Sequence, residues 1–273
     1  MNIAQALVAG AGLGLERLDA QLLLLQSLGR PQTDRAWLLA HDTDPLTPEQ
    51  EDAFTRLCAR RAGGEPLAYI VGRKEFYGLD LMVDPRVLVP RPDTETLVEW
   101  ALERVGNGSL VVDLGTGSGA IALAIKKHRP DAAVEAVDTN APALALASAN
   151  ARALRLDVIF RQGSWLDATE TRYDLIVSNP PYVAEGDPHL DGLRNEPTTA
   201  LAAGPDGLRD IRTIVSQAPA RLRGGGWLLL EHGHDQAAAV RQLLMAAGFQ
   251  AVASRRDLAG IERCSGGQWL ELG

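Results

Sequence analysis

A chain of 273 residues exceeds one typical domain and is short for three, which favours one large domain with a smaller one. Its net charge of −8 argues against a broad basic surface for nucleic acid, although a local basic patch stays possible. The two cysteines, Cys58 and Cys264, have no metal-ligand spacing and indicate neither a disulfide framework nor a zinc site. No apolar run approaches the roughly 18 residues that span a bilayer, and we expect a soluble protein of the cytoplasm.

The first 62 residues have helical patterns only. Residues 18–28 are rich in leucine at helical spacing. Thr47 and Pro48 combine a capping hydroxyl with a proline at the first helical position, and Gln50 follows three residues after the cap, which predicts a helix to residue 61. We expect residues 1–65 to form a helical domain that docks a protein substrate; the alternative is a helical appendage that only stabilises the main domain.

Residues 66–90 change to short pieces with strand character. The pieces at 67–71 and 79–83 flank Tyr77-Gly78, which predicts a hairpin that links two domains. A helical pattern follows at residues 97–102, with Asp93 or Thr94 as its predicted cap.

Beyond residue 108, apolar strands alternate with helices. The predicted strands are 110–114, 134–137, 158–160, 173–178, 226–231, 250–254 and 268–271, and the helices between them are 120–128, 141–154, 211–222 and 236–247. Continuous apolar strands alternating with helices predict a doubly wound α/β fold with a mostly parallel, seven-stranded sheet. We therefore expect a second domain over residues 91–273, with ligands at the carboxyl ends of its strands.

A group suited to a planar amine follows one predicted strand, in Asn179-Pro180-Pro181-Tyr182. The two prolines lack backbone N–H groups, so the carbonyls of Asn179 and Pro180 are not drawn into a continuing ladder. The Asn179 side-chain oxygen and a neighbouring carbonyl can accept both hydrogens of an –NH₂ group, and Tyr182 can stack on its plane. The alternative interpretation is an ordinary turn after a strand.

A glycine loop closes the first strand of the α/β region. Gly115, Gly117 and Gly119 stand at alternate positions, which lets the backbone approach a ligand closely. The spacing differs from the Gly-x-Gly-x-x-Gly of dinucleotide binders and disfavours a nicotinamide-dependent oxidoreductase. Asp138 ends the second strand, where a carboxylate can accept both hydroxyls of a ribose; the alternative is a helix cap ahead of Ala141.

Together these motifs resemble the class I S-adenosyl-methionine-dependent methyltransferases and, within them, the peptide chain release factor N5-glutamine methyltransferases. The stretches that carry the resemblance are Val89-Pro90-Arg91-Pro92-Asp93-Thr94-Glu95, Asp113-Leu114-Gly115-Thr116-Gly117-Ser118-Gly119, Val177-Ser178-Asn179-Pro180-Pro181-Tyr182, Asp187-Pro188-His189-Leu190 and Leu229-Leu230-Glu231-His232-Gly233. The likeness covers nearly the whole chain, and the combination of motifs is more specific than Asn-Pro-Pro-Tyr alone.

The resemblance implies S-adenosyl-methionine as cofactor, S-adenosyl-homocysteine as product, and no metal. The implied cofactor contacts are Gly115, Thr116, Gly117, Ser118, Gly119, Asp138, Trp165 and Asn179. The implied substrate contacts are Asn179, Pro180, Pro181 and Tyr182, with Asn179, Pro180 and Tyr182 acting in catalysis. Trp165 has the alternative of a core aromatic.

The implied reaction methylates the glutamine amide of the Gly-Gly-Gln motif in class I release factors and so modulates translation termination. The implied partner is that protein substrate, without direct nucleic acid or membrane contact, and the enzyme is expected to be a monomer. No general base is evident. We interpret Glu231, His232 and His234 as a strand end and a loop, and leave Glu196 without a role.

Two alternatives of function remain at this point. An amino-methyltransferase for exocyclic amines of nucleic acid bases would use the same pocket, although the acidic charge weighs against it. A non-catalytic binding module is disfavoured because glycine loop, ribose acid and amine cradle are all present. Separately, Gly266-Gly267-Gln268 matches the tripeptide that the family methylates, which raises self-methylation as a hypothesis; a hairpin turn between strands is the ordinary interpretation.

Overall fold

A computed structural model describes residues 1–271, apart from the side chains of His189, Asp191 and Leu193. Residues 272–273 of the predicted second domain therefore lie outside the described part. The chain divides into two compact units, Met1–Arg73 and Lys74–Gly273. The division falls inside the segment that the sequence predicts as a linker. No helix within residues 1–271 is long and apolar enough to cross a membrane.

The first unit is helical. Its helices are α1 (Ile3–Gly12), α2 (Arg17–Ser27), α3 (Arg35–Ala40), α4 (Pro48–Ala62) and α5 (Leu67–Val71). The predicted capping box of α4 is confirmed, because Thr47 and Gln50 each bond to the other's backbone N–H. The predicted strand at residues 67–71 is wrong: the segment forms α5, and its Ile70 packs into the helical core of this unit. Burial against neighbouring helices overrides the strand propensity of this short run.

The second unit begins with a hairpin, whose turn at Tyr77-Gly78 and second strand are as predicted but whose first strand starts only at Arg73, and continues with an α/β sheet. The hairpin strands are β1 (Arg73–Phe76) and β2 (Leu79–Met82). The helices that follow are α6 (Glu95–Arg104), α7 (Ala120–His128), α8 (Ala141–Leu154), α9 (Arg209–Arg221) and α10 (Ala237–Ala246). The strands are β3 (Leu110–Leu114), β4 (Ala133–Asp138), β5 (Ile159–Gln162), β6 (Tyr173–Ser178), β7 (Leu222–Glu231), β8 (Gln250–Arg256) and β9 (Glu262–Gln268).

Strands β3 to β9 form one seven-stranded sheet in the order β5-β4-β3-β6-β7-β9-β8. The first five strands of that order are parallel, and β9 pairs antiparallel with both β7 and β8. The chain leaves β3 toward β4 on one side and returns to β6 on the other, so the order reverses between β3 and β6. In open α/β sheets ligands bind at such a switch point, outside the carboxyl ends of the strands. The predicted fold class is confirmed.

Alternating side chains of the central strands build a core on each face of the sheet. Leu175 and Val177 of β6 pack with α6 and α7, whereas Ile176 packs with α9 and α10. This two-sided burial explains why β6 is apolar without interruption. The rigid centre of the sheet thereby fixes the strand ends that carry the motifs.

The last strand differs from its prediction. It spans Glu262–Gln268 instead of residues 268–271, and Gly266 and Gly267 lie within it, paired with Leu229 and Leu228 of β7. A Cβ at Gly266 would lie 2.5 Å from Leu229 Cδ2, so the glycine is needed for close packing. The predicted turn is therefore wrong, and the burial of both glycines in the sheet also argues against self-methylation at Gln268.

Candidate active site

The glycine loop follows β3 at the switch point of the sheet. Gly115, Gly117 and Gly119 all have positive φ, between 54° and 85°, which side chains rarely adopt. The Gly115 and Thr116 N–H groups donate to the carbonyl of Val137 at 2.8 and 3.0 Å, which ties the loop to the end of β4. The backbone N–H groups of the loop thus anchor it to the end of β4.

Asp138, the last residue of β4, bonds to the same loop. Its carboxylate accepts from Gly117 N–H and from Asn140 N–H, each at 2.9 Å. Asn140 is the N-cap residue of α8, and its side chain makes no capping bond. Each carboxylate oxygen of Asp138 keeps a further lone pair for a ligand. The Asp138 carboxylate therefore lies beside the loop, at the cavity described next.

A cavity of about 320 Å³ brings most of the predicted cofactor residues together. Its lining includes Gly115, Thr116, Gly117, Ser118, Asp138, Trp165, Asn179 and Pro181. Gly119, Pro180 and Tyr182 are not among its lining residues. Gly119 instead occupies the N-cap position of α7, where a Cβ would lie 3.0 Å from Leu123 Cδ1.

Trp165 lies on the loop and also contacts the core. A Cβ at Gly115 would lie 3.2 Å from Trp165 Cζ3, so the first glycine leaves room for the indole. The ring lines the cavity and packs against the core on the α9 side of the sheet. Trp165 therefore lies both at the cavity and against the core, which are the two alternatives that the sequence left open.

The Asn-Pro-Pro-Tyr stretch leaves the end of β6 beside the loop. The Ser178 hydroxyl donates to the Leu114 carbonyl at 2.7 Å, which joins the ends of β6 and β3. Asn179 Nδ2 donates to Thr94 Oγ1 at 3.2 Å. Thr94 stands at the predicted cap of α6, but its side chain makes no capping bond. The side chain of Thr94 instead serves Asn179.

A second cavity, of about 330 Å³, also borders Asn179. Tyr182 lines it together with Arg91, Arg263, Gly233 and His234. Asn179 is one of four residues that line both cavities. The two cavities are therefore adjacent at Asn179.

Comparisons with known proteins find matches to both units of the chain. Residues 92–195 match the methyltransferase small domain family, and residues 1–72 match the PrmC N-terminal domain family. A protein of Xylella fastidiosa named release factor glutamine methyltransferase is 51% identical over 269 residues, which cover 96% of this chain and 97% of that protein. The protein of that name from Bordetella pertussis is 52% identical over 260 residues, 93% of this chain and 95% of its own.

The chain belongs to the release factor glutamine methyltransferase family. The fold agrees with solved methyltransferases at lower identity. A methyltransferase from Pyrococcus furiosus superposes with a TM-score of 0.57 at 20% identity, covering 79% of this chain and 99% of that one.

Glu231, at the end of β7, lies near Tyr182 of the Asn-Pro-Pro-Tyr stretch. The carboxyl is 1% exposed, and burial raises its pKa to about 7. The Tyr182 hydroxyl lies 3.5 Å from Glu231 Oε1, and burial raises the pKa of Tyr182 as well. Glu231 is the last residue of its strand, as the sequence predicts. Its proximity to Tyr182 was not predicted, because the two residues are 49 positions apart in the sequence.

His232 is buried and has no free nitrogen. Its Nδ1 lies 2.8 Å from the Gly233 carbonyl and its Nε2 2.8 Å from Ser265 Oγ. Because a carbonyl only accepts, Nδ1 carries the hydrogen and Nε2 accepts from the serine. Burial lowers the pKa of His232, so the ring is held neutral as a structural link.

Asp113, the residue before Leu114 in β3, had no role in the sequence interpretation. It is fully buried, its Oδ2 accepts from Thr116 Oγ1 at 2.6 Å and from Ala122 N–H at 3.2 Å, and burial raises its pKa to about 7. Within the described residues its Oδ1 has no hydrogen-bond partner. An acidic residue inside an otherwise apolar strand was the available signal.

Arg91 and Glu196 form an ion pair at the edge of both cavities. The Arg91 guanidinium bonds to Glu196 Oε1, while Glu196 Oε2 accepts from Val89 N–H at 3.1 Å. Arg91 lines both cavities. Glu196 thereby fixes the segment before α6, a role that could not be predicted because Glu196 lies more than 100 residues from Arg91 in the sequence.

Among the described residues, no group of three or more His, Cys, Asp or Glu could hold a metal ion.

Proposed function

We propose that this chain transfers a methyl group from S-adenosyl-methionine to the side-chain amide nitrogen of the glutamine in the Gly-Gly-Gln motif of class I peptide chain release factors. The observation that carries the proposal is the position of Asn179, which lines both the cavity of the glycine loop and the cavity of Tyr182. Membership of the family supports the choice of substrate.

The cavity of the glycine loop fits the cofactor by volume and by its donor set. About 320 Å³ falls within the usual range of small-molecule sites. Asp138 would accept the ribose hydroxyls, the loop would face the methionine part with its backbone, and Trp165 would contact the adenine. When bound, S-adenosyl-methionine supplies an electrophilic methyl group on a sulfonium.

The acceptor side must hold and polarise a weak nucleophile. The lone pair of an amide nitrogen is delocalised into its carbonyl, so alignment and stabilisation of developing positive charge are the main contributions open to the protein. The Asn179 side-chain oxygen and the Pro180 carbonyl would accept both hydrogens of the substrate amide, and Tyr182 would stack on its plane. Methyl transfer leaves the amide nitrogen with its two hydrogens and a positive charge; this N-protonated amide is strongly acidic, and loss of one proton to water gives the neutral N-methyl amide.

The first unit is proposed to dock the release factor. Of the ten large apolar side chains exposed within residues 1–271, five lie in the first 73 residues: Met1, Val8, Leu13, Leu18 and Leu39. We take these side chains as the proposed contact residues for the release factor. We keep residues 1–65 as the proposed docking domain, 66–90 as the linker and 91–273 as the methyltransferase domain. We further propose a monomer that acts in the cytoplasm.

The deciding experiment measures methyl transfer from labelled S-adenosyl-methionine to a purified class I release factor. The control is the same factor with its Gly-Gly-Gln glutamine changed to alanine. Label on the first factor and none on the second supports the proposal. Label on neither, with cofactor binding intact, would favour methylation of a nucleic acid base, which salt-dependent binding of DNA or RNA would then test.

A further inference from the structure

The amide of Asn179 can work only in one orientation. A side-chain amide presents an oxygen that accepts hydrogen bonds at one end and a nitrogen that donates them at the other. A substrate amide nitrogen that offers two hydrogens needs the oxygen. The direction of the hydrogen bonds behind Asn179 therefore decides whether the cradle can bind its substrate.

Thr94 holds the nitrogen end. Asn179 Nδ2 donates to Thr94 Oγ1 at 3.2 Å, and Thr94 is 4% exposed. A hydroxyl carries one hydrogen, and while its oxygen accepts from Asn179 that hydrogen needs an acceptor elsewhere. Glu231 Oε2 is a buried oxygen that has no hydrogen-bond partner among the described residues, which makes it the acceptor open to that hydrogen. Thr94 also opposes the burial that raises the pKa of Glu231.

Glu231 is connected to both side chains of the cradle. Its Oε1 lies 3.5 Å from the Tyr182 hydroxyl, and its charged neighbours are Arg263 of β9 and Asp93 before α6. An ionised carboxylate only accepts hydrogen bonds, and a neutral carboxyl still keeps one acceptor oxygen. In either form it can take the hydrogens of Thr94 and Tyr182.

We propose that Thr94 and Glu231 are positioning residues for the Asn179 amide, through hydrogen bonds running from Asn179 to Thr94 to Glu231. They fix the amide with its oxygen toward the cavity lined by Tyr182, where the substrate amide would bind and which we call the acceptor cavity. This inference rests on the proposed function. Neither residue touches the reacting atoms; each acts through Asn179 or Tyr182.

A glutamine at position 231 replaces one of the two acceptor oxygens with an –NH₂ donor. A hydroxyl that faces this group loses its acceptor, so the hydrogen bonds behind Asn179 and Tyr182 become weaker.

The experiment compares four variants with the wild-type protein: Thr94→Val, Thr94→Ser, Glu231→Gln and Glu135→Gln. Glu135 is a matched control, since it is also a buried carboxylate that accepts from a tyrosine hydroxyl, Tyr173 at 2.9 Å, and lies outside both cavities. The readouts are kcat and KM for the release factor and the Kd for S-adenosyl-methionine.

We expect Thr94→Val and Glu231→Gln to lower kcat by about tenfold to a hundredfold, the effect of one hydrogen bond to a charged or oriented group. Thr94→Ser and Glu135→Gln should keep the wild-type kcat, and neither Glu231→Gln nor Glu135→Gln should change the cofactor Kd by more than about twofold.

A wild-type kcat for Thr94→Val would overturn the inference, as would a wild-type kcat for Glu231→Gln. Should Glu231→Gln fail to fold, the comparison of Thr94→Val with Thr94→Ser carries the test. Failure of the wild-type protein to methylate the release factor is a separate result, which contradicts the proposed function itself.

Discussion

Burial distinguishes three carboxyl groups near the strand ends. Asp138 is partly buried and accepts from two backbone N–H groups, and its remaining lone pairs could accept the hydroxyl groups of the proposed cofactor. Asp113 and Glu231 are fully buried, and their pKa values rise to about 7. The proposed ligand role therefore belongs to the more accessible Asp138 and not to the two buried carboxyl groups.

Asp138→Asn tests the ligand role. The variant keeps the size of the side chain but loses its charge and one acceptor, so we expect affinity for S-adenosyl-methionine to fall by about tenfold to a hundredfold. Isothermal titration calorimetry measures this loss. Asp131→Asn is the control, because Asp131 also accepts from a backbone N–H, that of Gly108 at 3.1 Å, but lines neither cavity. Equal affinity of both variants would contradict the assignment.

Asp113 should make stability fall as pH rises. Its pKa is raised from 3.8 to about 7 in the folded state, so the folded protein holds this proton more tightly than the unfolded chain. The contribution is therefore fully present below about pH 4 and is lost as pH rises through about 7. In urea unfolding between pH 5 and 8, Asp113→Asn should gain stability relative to the wild-type protein.

Asp206 supplies the control for that sign. The Arg212 guanidinium bonded to it lowers its pKa to about 2. Its contribution is lost only as pH falls below about 4, so Asp206→Asn should differ from the wild-type protein by a constant amount between pH 5 and 8. Parallel curves for Asp113→Asn as well would show that Asp113 is ionised throughout this range.

At the scale of elements, the loop after β7 and the loop before α9 enclose the Tyr182 backbone. Gln236 Nε2 donates to the Tyr182 carbonyl at 3.0 Å and to the Asp206 carbonyl at 3.3 Å, while its Oε1 accepts from Gly233 N–H at 2.8 Å. A single amide therefore joins three segments of the acceptor cavity. Its position depends on Gly207, beside which no side chain could fit.

Gly207→Ala should disrupt this arrangement. A Cβ there would lie 2.2 Å from the Tyr182 carbonyl oxygen and 2.7 Å from Gln236 Nε2, and φ is +70°. Gly204→Ala is the matched control, because φ is +78° but the nearest atom to its Cβ is Arg209 Cβ, at 3.4 Å. The left-handed backbone alone costs about 1–2 kcal/mol. We expect the control to lose that much stability and keep its kcat.

Gly207→Ala should lose more stability and at least about tenfold in kcat, since Tyr182 and Gln236 must move. Urea unfolding and single-turnover methyl transfer measure the two effects. If both alanine variants keep the same kcat, the position of the Tyr182 backbone does not limit the reaction.

At the scale of the whole molecule, the proposed docking role of the first unit predicts a difference between large and small substrates. Val8 and Leu39 are 73% and 63% exposed in the first unit. Replacing either with glutamate should raise KM for the intact release factor by about tenfold, the loss typical of an interface anchor. KM for a short Gly-Gly-Gln peptide should stay the same, because the peptide reaches only the second unit.

Leu258→Glu is the control for surface charge, because Leu258 is fully exposed in the second unit. It should leave both KM values unchanged. An equal rise in KM for factor and peptide in the Val8 and Leu39 variants would argue for a general effect on the enzyme and against docking by the first unit.

The sequence by itself determined the sheet and the edge at which its motifs lie. Uninterrupted apolar strands such as β6 specify burial on both faces, and the alternation with helices then requires parallel strands. Because parallel strands end at one edge, the glycine loop, Asp138 and Asn179 had to lie near one another. These features are local in sequence or follow from period and order alone.

Only the tertiary structure decided the contacts between distant segments. The short run at 67–71 forms a helix because neighbouring helices bury it. Gly266 lies inside a strand, where Leu229 of the neighbouring strand leaves no room for a Cβ. The approach of Glu231 to Tyr182 and of Thr94 to Asn179 joins residues from different strands and loops. Sequence spacing carries no information on such pairs, because packing distance, not chain distance, sets their interaction.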